Sequence, residues 1–297
     1  DDLEPMIFGN MPLDGRNDKL LRMTRLERDT LVASNPKAKK FLRPIFGSDE
    51  LLKGKDFWCI WVTNDDVDAA YEVSELKERF NRLESLRSDV ENAGADMVKM
   101  ASKPWSFREQ NEATSHTIIV PRPSSEDRHW LPVDVKSNSS ITSSEAFGIF
   151  DGALWQAAIL SSRMHRLWLE TVGGKLETRV RYSNTLVWYT FPLPTLSVRR
   201  KAELEEHWWD IDLARKEADF GKSLGELYSP ADMPPSLRRA HEDLDATIET
   251  IFGSRRYRSD ADRIEHMLQL YERMIADEAR KEAEAKAAKK KKKRTPA

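Results

Sequence analysis

The fold is decided by residues 173–184, which read Gly173-Gly174-Lys175-Leu176-Glu177-Thr178-Arg179-Val180-Arg181-Tyr182-Ser183-Asn184. An apolar helical segment precedes the two glycines, which are expected to end it. Beyond them apolar and charged residues alternate, and this alternation predicts a strand with one buried face. The charged face of that strand comprises Lys175, Glu177, Arg179 and Arg181.

This charged face suits a strand that lies against nucleic acid. Arginine and lysine bind guanine edges or phosphates, and glutamate accepts a hydrogen bond from the cytosine amine. We therefore predict that the base-reading residues are Lys175, Glu177, Arg179 and Arg181. The alternative is a solvated edge strand whose charges prevent pairing with other chains.

Composition excludes several classes of protein. The chain has 297 residues, of which 39% are hydrophobic and nine are Trp, so it can bury a real core. No apolar run is long enough for a membrane span, and we expect no membrane association. The only cysteine, Cys59, lies in an apolar run, as is typical of a protein in the reducing cytoplasm. The chain begins at Asp1 without an initiator Met, so we expect it to be a segment of a longer protein.

Charge is distributed unevenly along the chain. Residues 103–200 carry 12 Lys or Arg against nine Asp or Glu, whereas residues 201–279 carry 11 against 19. Residues 280–297 carry nine against two. The positive middle third contains the charged strand, and such a zone is where a polyanion would bind.

Two other stretches in the middle third favour nucleic acid. In residues 118–130 a strand runs into a loop stiffened by two prolines, which would present Arg122, Ser124, Ser125 and Arg128 to phosphates. Residues 103–108, Lys103-Pro104-Trp105-Ser106-Phe107-Arg108, interleave aromatic residues with cations, as base-stacking surfaces do. The alternatives are an ordinary hairpin-like connection and buried aromatic residues. The residues predicted to position the DNA backbone are Arg122, Ser124, Ser125, Arg128 and Arg108.

Periodicity and turn residues predict an α+β fold. Strands are expected at residues 57–62, 117–120, 130–135 and 185–191, and an amphipathic helix at 72–93. Residues 1–197 are thus a mixed β-rich domain with interleaved helices. Residues 198–279 are a small all-α domain whose helices span 199–219, Pro235 to Gly253, and the residues after Ser259. Residues 280–297 are predicted to be a disordered Lys-rich tail.

The sequence contains no convincing catalytic centre. The six histidines are scattered, there is no second cysteine, and neither common phosphate-binding glycine loop occurs. We predict no metal site and no catalytic residue in this chain.

Several dispersed motifs follow one another in a fixed order. They include Phe8-Gly9-Asn10-Met11-Pro12-Leu13-Asp14-Gly15, Phe41-Leu42-Arg43-Pro44, Trp58-Cys59-Ile60-Trp61, Val120-Pro121-Arg122-Pro123-Ser124-Ser125-Glu126-Asp127-Arg128, Ser162-Arg163-Met164-His165-Arg166-Leu167-Trp168, Gly173-Gly174-Lys175-Leu176, Arg181-Tyr182-Ser183-Asn184-Thr185 and Phe191-Pro192-Leu193-Pro194. Together they resemble the target recognition domain of the MmeI-like group of DNA methyltransferases. Residues 201–279, with Met233-Pro234-Pro235 and Ala240-His241-Glu242-Asp243-Leu244-Asp245, resemble that group's C-terminal helical domain.

This resemblance implies a function for the chain. It would be the sequence-specific recognition portion of an adenine-specific DNA methyltransferase from a restriction-modification or phage-defence system. Double-stranded DNA would be its partner, and S-adenosylmethionine would be bound by a catalytic domain outside this chain, in cis or on a partner chain. One alternative is a separate specificity subunit or adaptor without catalytic activity. Another is an unrelated helical scaffold whose basic tail binds nucleic acid without sequence preference.

Overall fold

The computed structural model describes residues 3–15, 18–176, 179–218, 221–253 and 256–292. The described strands are β1 (Ile7–Phe8), β2 (Arg22–Thr24), β3 (Leu42–Phe46), β4 (Phe57–Ile60), β5 (His116–Pro121), β6 (Pro123–Ser124), β7 (Asp134–Ser137), β8 (Ile141–Thr142), β9 (Ala146–Phe150), β10 (Gly174–Leu176) and β11 (Arg179–Arg181). The described helices are α1 (Arg25–Ser34), α2 (Ser48–Lys53), α3 (Val67–Tyr71), α4 (Ser74–Ser88), α5 (Ala95–Lys99), α6 (Leu154–Leu160), α7 (Arg163–Val172), α8 (Val198–Ala218), α9 (Leu224–Leu227), α10 (Pro235–Phe252) and α11 (Asp260–Lys292).

Three sheets hold the described strands. Their strand orders are β2-β4-β3-β8, β1-β9-β5-β7 and β10-β11-β6. Neighbouring strands run antiparallel apart from the β3–β8 pair. The mixture of short sheets with helices confirms the predicted α+β class.

The first sheet builds an N-terminal core together with α1, α3 and α4. Leu21, Ile60 and Phe80 are fully buried in it. Arg87, near the end of α4, is also fully buried and donates hydrogen bonds to five backbone carbonyls, those of Pro12, Leu13, Met100, Lys103 and Ser106. Burial lowers the pKa of its guanidinium to about 10, so the group remains charged at neutral pH. One side chain thereby joins two loop segments that are distant in sequence.

A second core extends from the sheet β1-β9-β5-β7 into the C-terminal helices. It includes Ile118 of β5, Trp168 of α7, Trp208 of α8 and Ile248 of α10. α8 packs against both α6 and α10. The predicted domain boundary at residue 197 therefore crosses one continuous core.

Several predicted elements are confirmed, including β4, α4 and α8. α10 begins at Pro235, where the missing N–H is tolerated, and Gly253 caps its end. The predicted helix before the glycine pair is divided into α6 and α7 at Ser162, whose hydroxyl accepts a hydrogen bond from the His165 amide.

Two predictions about secondary structure are wrong. Residues 185–191 are predicted to form a strand but contain a π-helical turn (Asn184–Trp188), in which the successive residues Val187 and Trp188 are both buried. The strand predicted at 130–135 begins only at Asp134, because Pro132 has no N–H for a ladder. α11 extends to Lys292, and residues 293–297 of the predicted tail lie outside the described residues.

Candidate nucleic-acid interface

The charged segment after Gly173 forms a hairpin rather than one strand. β10 and β11 pair antiparallel, with Lys175 opposite Val180 and Leu176 opposite Arg179. Gly173 itself has an extended backbone (φ −75°), and glycine is required because a Cβ there would lie 2.4 Å from the Leu169 carbonyl oxygen. The chain thus leaves α7 directly into the hairpin.

The hairpin changes which charged residues share a face. Directly opposite residues of an antiparallel pair lie on the same face. Arg179 and Arg181 therefore share one face, whereas Lys175 lies on the face of the buried Val180. The prediction of one row that includes Lys175 is wrong because the chain reverses between Leu176 and Arg179. Glu177 lies outside the described residues.

The hairpin pairs with the proline-stiffened loop that the sequence also singled out. β11 and β6 run antiparallel, with Val180 opposite Ser124 and Arg181 opposite Pro123. The Tyr182 amide donates a hydrogen bond of 2.7 Å to the Arg122 carbonyl. Two candidate segments that are distant in sequence thereby form one small three-stranded sheet.

Arg122, just before β6, and Arg181 of β11 lie in adjacent segments of this sheet. Arg122 is half-buried, and burial together with the positive charge of Arg181 lowers its pKa. Arg122 donates a hydrogen bond of 3.2 Å to the Ser144 carbonyl, and its guanidinium lies 5.0 Å from the centre of the Phe8 ring. Arg181 is exposed. Arg122 is opposite Tyr182, so it lies on the face of the sheet that carries the buried Val180 and Tyr182, whereas Arg181 lies on the other face.

The structure removes Ser124 from the predicted phosphate contacts. Its side chain is only 1% exposed, and its hydroxyl faces the interior without a hydrogen-bond partner among the described residues. Ser125 is half-buried, and its hydroxyl lies 3.5 Å from the Asp127 carboxylate. Of the predicted loop residues, Arg122 is therefore the one that the hairpin supports directly.

The side chains of Arg128 and Arg108 are held by contacts within the protein. Arg128 donates a hydrogen bond of 3.3 Å to the Gly225 carbonyl at α9, and burial lowers the pKa of its guanidinium. Arg108 forms ion pairs with Asp96 (3.0 Å) and Glu109 (2.5 Å), so its charge is already balanced. The neighbouring Phe107 is fully buried, which favours the core interpretation of residues 103–108 over a base-stacking surface.

Two arginines of α7 hold the loop after β6, and sequence analysis did not single them out. Arg166 is fully buried, donates to the carbonyls of Ser125 (3.1 Å) and Glu126 (3.2 Å), and pairs with Glu170 at 2.7 Å. Arg163 donates to the His129 carbonyl at 3.1 Å. Two cations three residues apart in an otherwise apolar helix could have been detected, because buried charges need polar partners.

A histidine of α7 anchors the end of the hairpin. His165 Nε2 lies 2.9 Å from the Tyr182 hydroxyl, and both side chains are buried next to Trp188 and Phe191. Burial lowers the pKa of His165 to about 3 and raises that of Tyr182 well above its ordinary value. Both side chains are therefore neutral at physiological pH.

Because the buried His165 is neutral in the folded chain, we expect the folded state to lose stability as the pH falls. The folded-state pKa lies below the unfolded value of about 6.5, so the unfolded chain binds a proton that the folded chain excludes as the pH falls. We expect the substitution His165→Gln, which still offers a donor to Tyr182, to remove this pH-dependent loss of stability. The difference in free energy of unfolding between parent and variant should shrink by roughly 2 to 3 kcal/mol between pH 7 and pH 4.5. Urea unfolding at each pH measures the difference, and a constant difference would contradict the prediction.

A half-buried carboxylate connects α7 to α10. Asp245 of α10 accepts hydrogen bonds from the Trp130 indole (2.7 Å) and from the Arg163 amide (2.6 Å). Burial raises the pKa of Asp245 to about 7. Close by, the His241 ring stacks on Trp130 and contacts the Tyr228 hydroxyl at 2.7 Å. These contacts fix α10 against α7, the helix that carries the hairpin.

The described residues do not fit a nucleotide cofactor or a metal ion. Among residues 3–15, 18–176, 179–218, 221–253 and 256–292, no group of three or more His, Cys, Asp or Glu side chains is placed to hold a metal. S-adenosylmethionine, which the resemblance implies for the full enzyme, would need a site such as the edge of an open parallel sheet. The described sheets are antiparallel apart from the β3–β8 pair, so no step of chemistry is assigned to this chain.

Comparison with known proteins identifies the family. Residues 1–195 match the model described as the target recognition domain of MmeI. The chain belongs to the MmeI family. Residues 199–278 match the C-terminal domain of MmeI, and the two matches confirm the resemblance on which the sequence analysis relied.

Two relatives of this MmeI-family chain are much longer than it is. DNA methyltransferase A of Bacillus subtilis (strain 168) is 35% identical over 273 residues, which cover 92% of the chain and 30% of that protein. The solved structure of the type IIL restriction-modification enzyme MmeI in complex with DNA is similar with a TM-score of 0.86 and 28% identity. That match covers 93% of the chain and 36% of the solved one, so the chain spans about a third of each relative. In the described part of this MmeI-family chain, no helix is both long and apolar enough to cross a membrane.

Proposed function

We propose that this chain is the DNA-recognition part of a site-specific DNA methyltransferase, with double-stranded DNA as its partner. The observation that carries the proposal is the small sheet in which the hairpin, paired with the β6 segment, exposes Arg179 and Arg181 on one face. The similarity to a DNA methyltransferase and to a restriction-modification enzyme in complex with DNA supports the same assignment. Such a chain would act in the cytoplasm, where bacterial DNA is accessible.

The methylation step itself belongs to the rest of the enzyme in this proposal. S-adenosylmethionine would supply the methyl group, and the exocyclic amine of adenine would accept it after the base leaves the stack. The relatives are about three times as long as this chain, which favours a catalytic domain in cis over a separate specificity subunit. An upstream reading frame that continues without a stop codon into a methyltransferase domain would support this arrangement.

The hairpin would enter the major groove of the duplex. A two-stranded ribbon fits that groove, where each base pair presents a distinct pattern of donors and acceptors. In this arrangement Arg179 reads a base, with Glu177 as its predicted partner in reading. Arg181 binds a phosphate, and the half-buried Arg122 adds positive charge nearby. Lys175, on the other face, contributes less than the sequence pattern suggested.

Binding to randomised duplexes, followed by sequencing of the bound fraction, tests the proposal. The parent chain is expected to select one sequence. We expect Arg181→Ala to weaken binding to every duplex by roughly 10-fold and to reduce the salt dependence by about one phosphate contact. Arg179→Ala is expected to relax the selection at one base pair, at a cost of roughly 1 to 3 kcal/mol in discrimination.

Arg108→Ala is the matched control, because Arg108 is an exposed arginine whose charge two carboxylates already balance. It should change neither affinity nor selection. Equal losses for Arg108→Ala and Arg181→Ala would show that the loss reflects total charge and not the hairpin. Absence of any selected sequence from the parent would refute the proposed function.

A further inference from the structure

A chain of buried hydrogen bonds runs from helices α8 and α10 to the junction between α6 and α7. Arg215 of α8 donates to the Tyr228 hydroxyl through Nη2 and through Nε, which lies 2.9 Å from the hydroxyl oxygen. The same hydroxyl lies 2.7 Å from Nε2 of His241 on α10. His241 Nδ1 lies 3.1 Å from the carbonyl oxygen of Ser161. All four residues are buried, so bulk water does not compete for these contacts.

The donors along this chain of hydrogen bonds all point in the same direction. A guanidinium has no acceptor atom, so the Tyr228 oxygen accepts from Arg215. Tyr228 therefore donates its one hydroxyl hydrogen to Nε2 of His241, which is the ring nitrogen without a hydrogen. Nδ1 then carries the hydrogen and donates it to the Ser161 carbonyl. Burial and the positive charge of Arg215 lower the pKa of His241 well below its ordinary value, in agreement with a neutral ring.

The hydrogen-bonded chain holds the segments that support the hairpin. The Ser161 carbonyl lies at the junction of α6 and α7, and α7 leads into β10. The His241 ring also stacks on Trp130, with 4.8 Å between ring centroids and 22° between the ring planes. Trp130 ends the loop after β6, and Arg215 donates a hydrogen bond of 2.7 Å to the Val133 carbonyl just beyond this loop. The C-terminal helices thus hold both the start of α7 and the end of the loop after β6.

We infer that Tyr228 and His241 are positioning residues for DNA recognition. Both side chains are buried, so they do not touch DNA themselves. They act through Trp130 and the start of α7, which set the loop after β6 and the hairpin relative to each other. Because the members of a buried polar network depend on one another, loss of one hydroxyl loosens the whole network. The role in recognition rests on the proposed function, whereas the order of the hydrogen bonds does not.

The test removes one hydroxyl from this network and one from a matched contact. Tyr228→Phe deletes the oxygen that accepts from Arg215 and donates to His241. Thr247→Val is the control, because the Thr247 hydroxyl lies 2.8 Å from His207 Nε2 in a hydrogen bond between the same two helices. Urea unfolding gives the stability of each variant. Fluorescence anisotropy, at a temperature well below each unfolding midpoint, measures affinity for a duplex with the selected site and for a scrambled duplex.

The expected result is a loss of selectivity in Tyr228→Phe. The ratio of the two affinities should fall by at least about fivefold, because residues in a coupled network shift binding by amounts of this order. Affinity for the scrambled duplex should change less than about twofold, since the exposed cations that bind phosphates remain. Thr247→Val should leave the ratio unchanged even where it lowers stability. An unchanged ratio in folded Tyr228→Phe would overturn the inference, because a role in stability alone does not alter selectivity.

Two further measurements apply if Tyr228→Phe does not fold. His241→Asn keeps a donor near the position of Nδ1 for the Ser161 carbonyl. It loses the contacts with Tyr228 and Trp130, so the affinity ratio should fall here too, and an unchanged ratio would overturn the inference. Nitrogen NMR of the parent identifies the ring nitrogen of His241 that carries the hydrogen, and a hydrogen on Nε2 would also overturn it. A parent chain that selects no sequence would instead refute the proposed function, whichever nitrogen carries the hydrogen.

Discussion

Replacement of Arg87 by methionine is expected to lower the free energy of unfolding by roughly 4 kcal/mol or more. Arg87 is fully buried and donates to five carbonyls with distances between 2.7 and 3.2 Å. Methionine fills similar space but donates no hydrogen bond, and each buried carbonyl left without a partner costs about 1 to 3 kcal/mol. Water that enters the new gap would reduce the loss, which is why the expected total is below the simple sum.

Urea unfolding followed by tryptophan fluorescence measures this effect. Arg87→Lys should have an intermediate stability, since a lysine retains the charge but has three donors in place of five. Arg82→Met is the matched control on the same helix, because the Arg82 side chain is 58% exposed and lies 3.5 Å from Asp18. The role assigned to Arg87 is wrong if Arg87→Met and Arg82→Met unfold at the same urea concentration.

Arg166→Met is expected to lower the free energy of unfolding by roughly 3 to 5 kcal/mol and also to impair DNA binding. Glu170 is 31% exposed and keeps Arg163 at 3.7 Å, so the main loss comes from the fully buried donors of Arg166, at about 1 to 3 kcal/mol for each acceptor left without a partner. The carbonyls of Ser125 and Glu126 would lose their donor as well. The loop that follows β6 would then no longer be fixed beside the hairpin.

Measurement at low temperature separates the effect of Arg166→Met on DNA binding from its effect on stability. Binding is measured well below the unfolding midpoint of the variant, where the chain is folded but the loop is released. A loss of at least about fivefold in affinity is expected there, because ordering the loop again opposes binding. Arg239→Met on α10 is the control, since the Arg239 side chain is 83% exposed. Full affinity of folded Arg166→Met would limit Arg166 to a role in stability.

Much of the fold follows from local sequence because local rules decide those elements. Pro235 and Gly253 delimit α10, and the apolar spacing of Leu76, Phe80 and Leu83 defines α4. Residues 185–191 have the β-branched and aromatic composition of a strand. They form a turn instead, because tertiary packing buries Val187 and Trp188 together and the Trp188 indole donates to the Glu4 carbonyl. Contacts this distant in sequence cannot be inferred from periodicity.

The candidate site also combines features that the local sequence predicts with features that depend on long-range contacts. Sequence pattern identified both the charged segment and the proline-stiffened loop. It did not predict that they pair, because the two segments are more than 50 residues apart in the sequence. The pairing depends on tertiary structure, and together with the pairing of β10 and β11 it places Arg181 on the face opposite to that of Lys175. Burial, which also depends on tertiary structure, separates the inward-facing Ser124 from the accessible Arg181.

The continuous core behind the hairpin limits how recognition can be exchanged between relatives. A chimera joined near residue 197 would combine Trp130 and Arg163 from one parent with Asp245 from another. It would also divide the packing of α6 against α8. Exchange of the whole unit through residue 278 keeps these contacts within one parent. Under the proposed function, the unit that must be inherited together would therefore be larger than the surface that contacts DNA.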